Sequence, residues 1–225
     1  MITLIWYGHA ALGLEAGGKK ILVDPYFSGN PAASTTADKV IADFILITHG
    51  HGDHIGDTVD IAKRTGATVI SNMEISRWLG KQGLMAQGQP FGPPSSYPFG
   101  NLTLTPAVHG TGLPDGSDGG LPGGFLLMAD GKKIYIAGDT TLFDDMKLIG
   151  SAGLDLAILP IGGFYTMDPE QALQAVKILV PKQVIPYHYN TWDKIVQDPH
   201  AWATRVEKET STKVHVLKPG ERFSL

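Results

Sequence analysis

The sequence predicts an α/β protein folded as a four-layer sandwich, helix, sheet, sheet, helix, made of two similar halves. Three observations carry that prediction. Strand and helix signals alternate along the chain in two comparable sets; short apolar runs end repeatedly in a histidine or an aspartate; and 225 residues with 43% hydrophobic content suit one self-sufficient domain over residues 1–225.

The first half opens with strands expected at Ile2 to Tyr7, Ala11 to Glu15 and Lys20 to Val23, the last two joined by a Gly17-Gly18 hairpin turn. Phe44-Ile45-Leu46-Ile47 is a continuous apolar run, the mark of a strand buried on both faces. A helix is expected from about Thr58, capped by Asp57 and closed at Gly66. The second half repeats the scheme, with strand patterns at Leu102 to Val108, Lys133 to Gly138, Leu154 to Leu159 and Gln183 to Pro186, and a hairpin turn at Asp130-Gly131. Asp168 caps a helix beginning at Pro169, whose Ala172, Val176 and Leu179 share one face. A last helix over Pro199 to Glu209 precedes a final strand at Lys213 to Leu217. Strands at the centre and helices outside bring the two sheets' edges together, and in such folds sites are built beyond the carboxyl ends of strands.

Composition narrows the function classes. Net charge is −4 with lysines and arginines scattered, so no basic stripe is available for a nucleic-acid backbone and no nucleic-acid partner is expected. No apolar run approaches the roughly 18 residues of a membrane span. The amino terminus enters a strand pattern directly, without a basic region and cleavage site, so a cytoplasmic location is expected. Without cysteine there are no disulfides. A homo-oligomer is compatible with this composition.

Thr48-His49-Gly50-His51-Gly52-Asp53-His54 carries the chemistry: three imidazoles and a carboxylate follow a buried strand on one tight loop. Imidazole nitrogen and carboxylate oxygen are the donors that suit Zn²⁺ and its first-row neighbours. One cation takes about four protein ligands at most, so this crowding points to two cations and calls for further ligands. Strand-like runs deliver them at His109, Asp139 and His188.

The resulting order, H-x-H-x-D-H, then H, D and H, resembles the metallo-β-lactamase-fold hydrolases over essentially the whole chain. The resemblance implies that His49, His51 and His109 hold one metal, that Asp53, His54 and His188 hold the other, and that Asp139 bridges them. Trp6-Tyr7-Gly8-His9-Ala10, Val23-Asp24-Pro25 and Pro186-Tyr187-His188-Tyr189-Asn190-Thr191-Trp192 are most similar to the branch containing L-ascorbate-6-phosphate lactonase and N-acyl-phosphatidylethanolamine phospholipase D. The bridging aspartate and the absence of cysteine turn the reading away from antibiotic hydrolysis. No room remains for the helical domain of glyoxalase II or the insertion of β-CASP nucleases, and no arm for gripping transfer RNA is visible.

The expected chemistry follows from charge. Two divalent cations, two aspartates, neutral histidines and a bridging hydroxide sum to about +1, which favours an anionic or strongly polarised small-molecule substrate. A metal-bound hydroxide forms at neutral pH because the cation lowers the pKa of its water to about 7. The expectation is therefore a binuclear hydrolase of a phosphate ester, including phosphodiesters, or of a lactone or other ester, with Asp53 shuttling the proton. Zinc is the first choice of metal, with manganese, iron and nickel as alternatives. The second class is a mononuclear iron oxygenase of the persulfide dioxygenase type, and the third a non-catalytic binding module.

Beyond the ligands, Asp24 ends a strand, where it either orients a ligand histidine or only turns the chain before Pro25. His9 also ends a strand and either reaches the substrate or bonds to backbone; the resemblance favours a catalytic part. Tyr187, Tyr189, Asn190 and Thr191 flank His188 as candidate pocket residues or as packing. Thr48 and Thr140 adjoin ligands and are expected to satisfy backbone groups. Loops 89–100 and 110–124 are candidate lids over the site.

Overall fold

Alternating apolar positions and two tight turns build the same arrangement twice. The computed structural model describes residues 1–225. Its first sheet and flanking helices comprise β1 Thr3–Gly8, β2 Ala11–Ala16, β3 Lys19–Val23, β4 Phe44–Leu46, α1 Gly52–Ile55, α2 Thr58–Thr65, β5 Thr68–Ser71, α3 Met73–Lys81 and β6 Ala86–Gly88. The second set comprises β7 Ser95–Tyr97, β8 Gly100–Pro106, β9 Gly123–Ala129, β10 Lys132–Ile136, α4 Met146–Gly150, β11 Leu156–Pro160, α5 Pro169–Leu179, β12 Gln183–Tyr187, α6 Pro199–Glu209 and β13 Lys213–Val214. A last strand, β14 Arg222–Ser224, returns to the first sheet.

Both sheets are seven-stranded, ordered β14-β1-β2-β3-β4-β5-β6 and β7-β8-β9-β10-β11-β12-β13. Each begins with antiparallel pairs, β14 to β3 in one and β7 to β10 in the other. Each then continues with parallel pairs, β3 to β6 and β10 to β13. The repeat is thus complete strand for strand. Equivalent strand ends precede His9 and His109 (β1, β8), Asp24 and Asp139 (β3, β10), and the 49–54 loop and residues 161–168 (β4, β11). The hairpins β2-β3 and β9-β10 turn through Gly17 (φ 55°) and Gly18 (φ 71°), and through Asp130 (φ 49°) and Gly131 (φ 74°), the positive-φ pairs that a two-residue hairpin needs.

Period-2 alternation sorts the first sheet's side chains between two cores. Ile21, Val23, Leu46 and Ile70 join Phe125, Leu127, Ile134 and Ile136 of the second sheet in the central core. Leu22, Ile45 and Val69 face the other way, onto Ile61 and Ala62 of α2 and Ile75 and Leu79 of α3. Ala172, Leu173, Val176 and Leu179 of α5 are buried with the second sheet, and the fold is the expected four-layer αββα sandwich. No helix is long and apolar enough to cross a membrane.

Several local expectations are corrected. Gly66 (φ 73°) closes α2 as expected, but the Asp57 side chain does not cap it; its carboxylate instead accepts from the Phe27 and Ser28 amides at 2.8 and 2.9 Å, tying the loop after Asp24 to the helix. Asp168 does cap α5, accepting from Gln171 N at 2.8 Å. The strand before His109 stops at Pro106, and Val108 N donates to Thr140 Oγ1 (3.0 Å) instead of to a ladder. The final strand is only Lys213–Val214: Leu217 turns into the central core, and Pro219, lacking an amide hydrogen, with Gly220 at φ 92°, redirects the chain into β14.

Candidate metal centre

Strand ends from both sheets converge on one cluster of imidazoles and carboxylates. The buried strand β4 carries the chain to Thr48, after which His49, His51, Asp53 and His54 occupy a loop and the single turn α1. His49 and His54 are fully buried, and His51 and Asp53 stand at the cavity edge. His109 follows β8, Asp139 follows β10 and His188 follows β12. Gly138, at φ 66°, sets the approach of Asp139: a Cβ there would lie 2.6 Å from the Gly123 carbonyl oxygen. His9 (φ 54°), Asp24 (φ 46°) and His188 (φ 55°) are also left-handed, a concentration of backbone strain at one place in the fold.

The donors fall into overlapping groups whose ligand atoms lie within 4.8 Å of one another: His49, His51 and His109; His9, Asp53, His54 and His188; and His49, His54 and Asp139. Asp139 spans the first two groups. Its Oδ1 lies 3.3 Å from His54 Nε2, and its Oδ2 lies 3.1 Å from His188 Nε2 and 3.6 Å from His109 Nε2. His54 Nε2, Asp139 Oδ1 and both His188 nitrogens are buried without a hydrogen-bond partner. Buried polar atoms are rarely left so, and a cluster of unpartnered donors to metal around one point fits a cation.

Asp24 sets which nitrogen each histidine turns inward. Its carboxylate accepts from Thr48 N (2.9 Å), Thr48 Oγ1 (2.7 Å) and His54 Nδ1 (2.8 Å). Because Thr48 Oγ1 gives its proton to Asp24, it accepts from His49 Nδ1 at 3.0 Å. Both His49 and His54 therefore carry their outer proton on Nδ1 and direct Nε2 to the centre. Asp24 is thus more than the Asp-Pro turn residue, and Thr48 bonds side chains, not only backbone; Thr140 is the backbone-satisfying threonine. Replacing Asp24 by Asn should lower metal affinity by about 10- to 100-fold with the fold intact, read by competitive chelator titration; unchanged affinity would remove Asp24 from this role.

Two aspartates draw positive charge into the cluster. Burial works against a charged His54, yet Asp139 and Asp24 together hold its pKa well above the ordinary histidine value. Burial also opposes ionisation of Asp139, but His188 and His54 hold its carboxyl well below the usual range. Burial keeps His49 and His109 neutral, the form in which imidazole binds metal.

His9 is fully buried, with Nε2 3.1 Å from Asp53 Oδ2 and Nδ1 2.8 Å from Thr191 Oγ1. Burial and then His188 push its pKa down to about 3, so the ring is neutral. Burial alone would raise the Asp53 pKa, but the His9 hydrogen bond and His54 hold it below the carboxylate range. An ionised carboxylate only accepts, so His9 donates from Nε2 and receives the Thr191 hydroxyl proton at Nδ1.

A cavity of about 470 Å³ opens onto the cluster, lined by Asp53, His51, His109, Asp139 and His188 and also by Tyr165 and Trp192. The flanking candidates do not line it. Tyr187 is wholly buried in the central core, Tyr189 packs on Trp6 (centroids 5.3 Å apart), Asn190 Oδ1 accepts from Gln197 N at 2.7 Å, and Thr191 is committed to His9. His9 itself, being buried, does not reach the cavity either. Neither expected lid covers it. Loop 89–100 includes the edge strand β7, with Tyr97 Oη donating to Gln89 Oε1 (2.8 Å); loop 110–124 is tied to the histidine loop, where Thr111 Oγ1 accepts from Gly50 N (3.0 Å), and contributes no residue to the cavity lining. Nothing in the sequence marks Tyr165 as a cavity residue, and Trp192 stands out only as the last residue of the 186–192 motif, although Tyr165 follows β11, between the two ligand-bearing strands β10 and β12, and Trp192 follows β12 itself.

Two mixed sheets joined around such a cluster define a metallo-β-lactamase-fold protein, and residues 19–189 match the family model described as beta-lactamase superfamily domain. The chain belongs to the UPF0173 metal-dependent hydrolases. It is 46% identical to the member from Heliobacterium modesticaldum over 233 residues, covering 100% of this chain and 98% of the relative. It is likewise 46% identical to a Thermus thermophilus member, with 100% of both chains covered. Among solved structures, Igni18, a metallo hydrolase from the hyperthermophilic archaeon Ignicoccus hospitalis, superposes with a TM-score of 0.92 at 40% identity, over 100% of this chain and 99% of that one.

Proposed function

We propose that this chain holds two divalent metal ions and hydrolyses a phosphate ester, lactone or other ester bond of a small, anionic or strongly polarised molecule in the cytoplasm. The observation that carries the reading is the pair of donor groups on either side of Asp139. In this reading His49, His51 and His109 hold one ion, Asp53, His54 and His188 hold the other, and Asp139 touches both. Zinc is the first choice, with manganese, iron or nickel as alternatives. Ions bound there supply acidified water and a Lewis acid for the substrate oxygen.

The chain's own residues do the rest. Asp53 lines the cavity, and with Oδ2 engaged by His9 its Oδ1 is the atom that takes a proton from the attacking water and returns it to the leaving group. His9 positions that carboxylate from behind instead of touching substrate, and Thr191 fixes its tautomer. Elemental analysis of the purified protein, followed by reconstitution with each metal and a panel of phosphodiesters, phosphotriesters and lactones, tests the reading. Two metal equivalents and turnover on one of these classes are expected. One iron per chain with oxygen consumption on glutathione persulfide would sink it in favour of an oxygenase.

A further inference from the structure

Large aromatic side chains seldom stand in water together, yet this chain exposes three on two neighbouring loops, and two of them, Tyr165 and Trp192, line its candidate metal cavity. Phe164 is 70% exposed, Tyr165 46% and Trp192 36%. Phe164 and Tyr165 meet edge to face, with centroids 4.6 Å apart, on the loop after β11; Trp192 lies on the loop after β12. Phe164 is held at φ 55°, a conformation that a bulky residue adopts only when its surroundings impose it. The arrangement is preformed. Gln197 ties the two loops through Nε2 to the Gly162 carbonyl (2.9 Å), and the His9 ring braces Trp192 edge to face at 4.7 Å.

The cavity's charge is equally specific. No lysine or arginine lines it, and Lys194, outside the lining, is drawn over the Phe164 ring, 4.3 Å from the centroid. A multiply charged phosphate monoester would find no lysine or arginine among the residues that line the cavity. A flat apolar group, in contrast, would find aromatic surface in the same cavity as the reacting centre.

We propose that Tyr165 and Trp192 form a recognition wall that selects neutral or singly charged substrates bearing an aromatic or comparably flat apolar group beside the scissile bond. The inference rests on the hydrolase reading of the same site. It excludes sugar phosphates and other polyanions as preferred substrates and favours aryl-substituted esters, lactones and phosphodiesters.

Calorimetric titration of the metal-loaded protein with acetohydroxamate and with 2-naphthohydroxamate tests it, because both probes share the metal-binding head and differ in the flat group. Wild-type protein should bind the naphthyl probe at least about tenfold more tightly. Tyr165→Ala and Trp192→Leu should each reduce that preference by about threefold or more, while acetohydroxamate affinity changes by less than about twofold. Should Trp192→Leu fail to fold, Tyr165→Ala decides, since its ring is half exposed. Equal wild-type affinity for the two probes, or a naphthyl preference that survives substitution, would overturn the wall and leave the hydrolase reading standing. Failure of wild-type protein to bind metal would overturn both together.

Discussion

Replacing Asp139 by alanine is expected to leave at most one metal equivalent per chain and to lower the hydrolytic rate by about 10³-fold. The argument is one of position and charge. Asp139 is 3% exposed and is the one carboxylate in reach of histidines from both donor groups, His109 on one side and His54 and His188 on the other. Without it, five imidazoles and Asp53 would have to hold both cations, and mutual repulsion of two divalent ions would be offset by a single negative charge. Losing a Lewis acid worth several kcal/mol of transition-state stabilisation accounts for the rate, at about 1.4 kcal/mol per tenfold. Elemental analysis beside circular dichroism checks the result. Two full equivalents in a folded Asp139→Ala protein would remove Asp139 from the bridging role.

What was legible in the sequence followed from chemistry that repeats at fixed spacing. Metal donors must be compact, so His49 to His54 stand out on one loop, and strands must end before a site, so His109, Asp139 and His188 are found by following apolar runs. Asp24 was legible for the same reason, as a carboxylate at a strand end. The two-halves architecture was visible in its turns, Gly17-Gly18 and Asp130-Gly131, but its full pairing symmetry was not. That symmetry depends on β7 and β14, short edge strands of three residues each that carry no periodicity. The cavity wall was hidden more deeply. Tyr165 and Trp192 stand on irregular loops without periodicity, and only the path of those loops separates them from Tyr187 and Tyr189, which look equally suited in the sequence yet are buried in the core. His9 was found, but its role depends on burial, a property of packing that its neighbours in sequence do not reveal.

Stripping the metal from the wild-type protein should lower its thermal midpoint by about 8–16 °C without unfolding it at room temperature. A ligand present at about 1,000 times its Kd stabilises the folded state by about 4.1 kcal/mol, and about 1 kcal/mol corresponds to 2–4 °C in a chain of this size. The molecule explains why the effect is large. His54 Nε2, Asp139 Oδ1 and both nitrogens of His188 are buried without a well-formed hydrogen bond, and a buried group left so costs about 1–3 kcal/mol, offset in part by the ion-pair contacts of Asp139 with His54 and His188. It also explains why the loss is bounded. Asp139 and Asp24 draw a proton onto His54 in spite of burial, so positive charge remains in the cluster when a cation leaves. The central core, with Phe125, Ile158 and Val176 sealed between sheets and helix, contains none of the cluster's residues. Calorimetry before and after exhaustive chelation, with metal content measured on the same samples, gives the comparison. A midpoint that does not move after verified removal would mean that the cluster is stable without cations and that the unpartnered atoms carry no cost. Recovery on adding back zinc, manganese, iron or nickel would order the metals by their affinity for this particular set of donors.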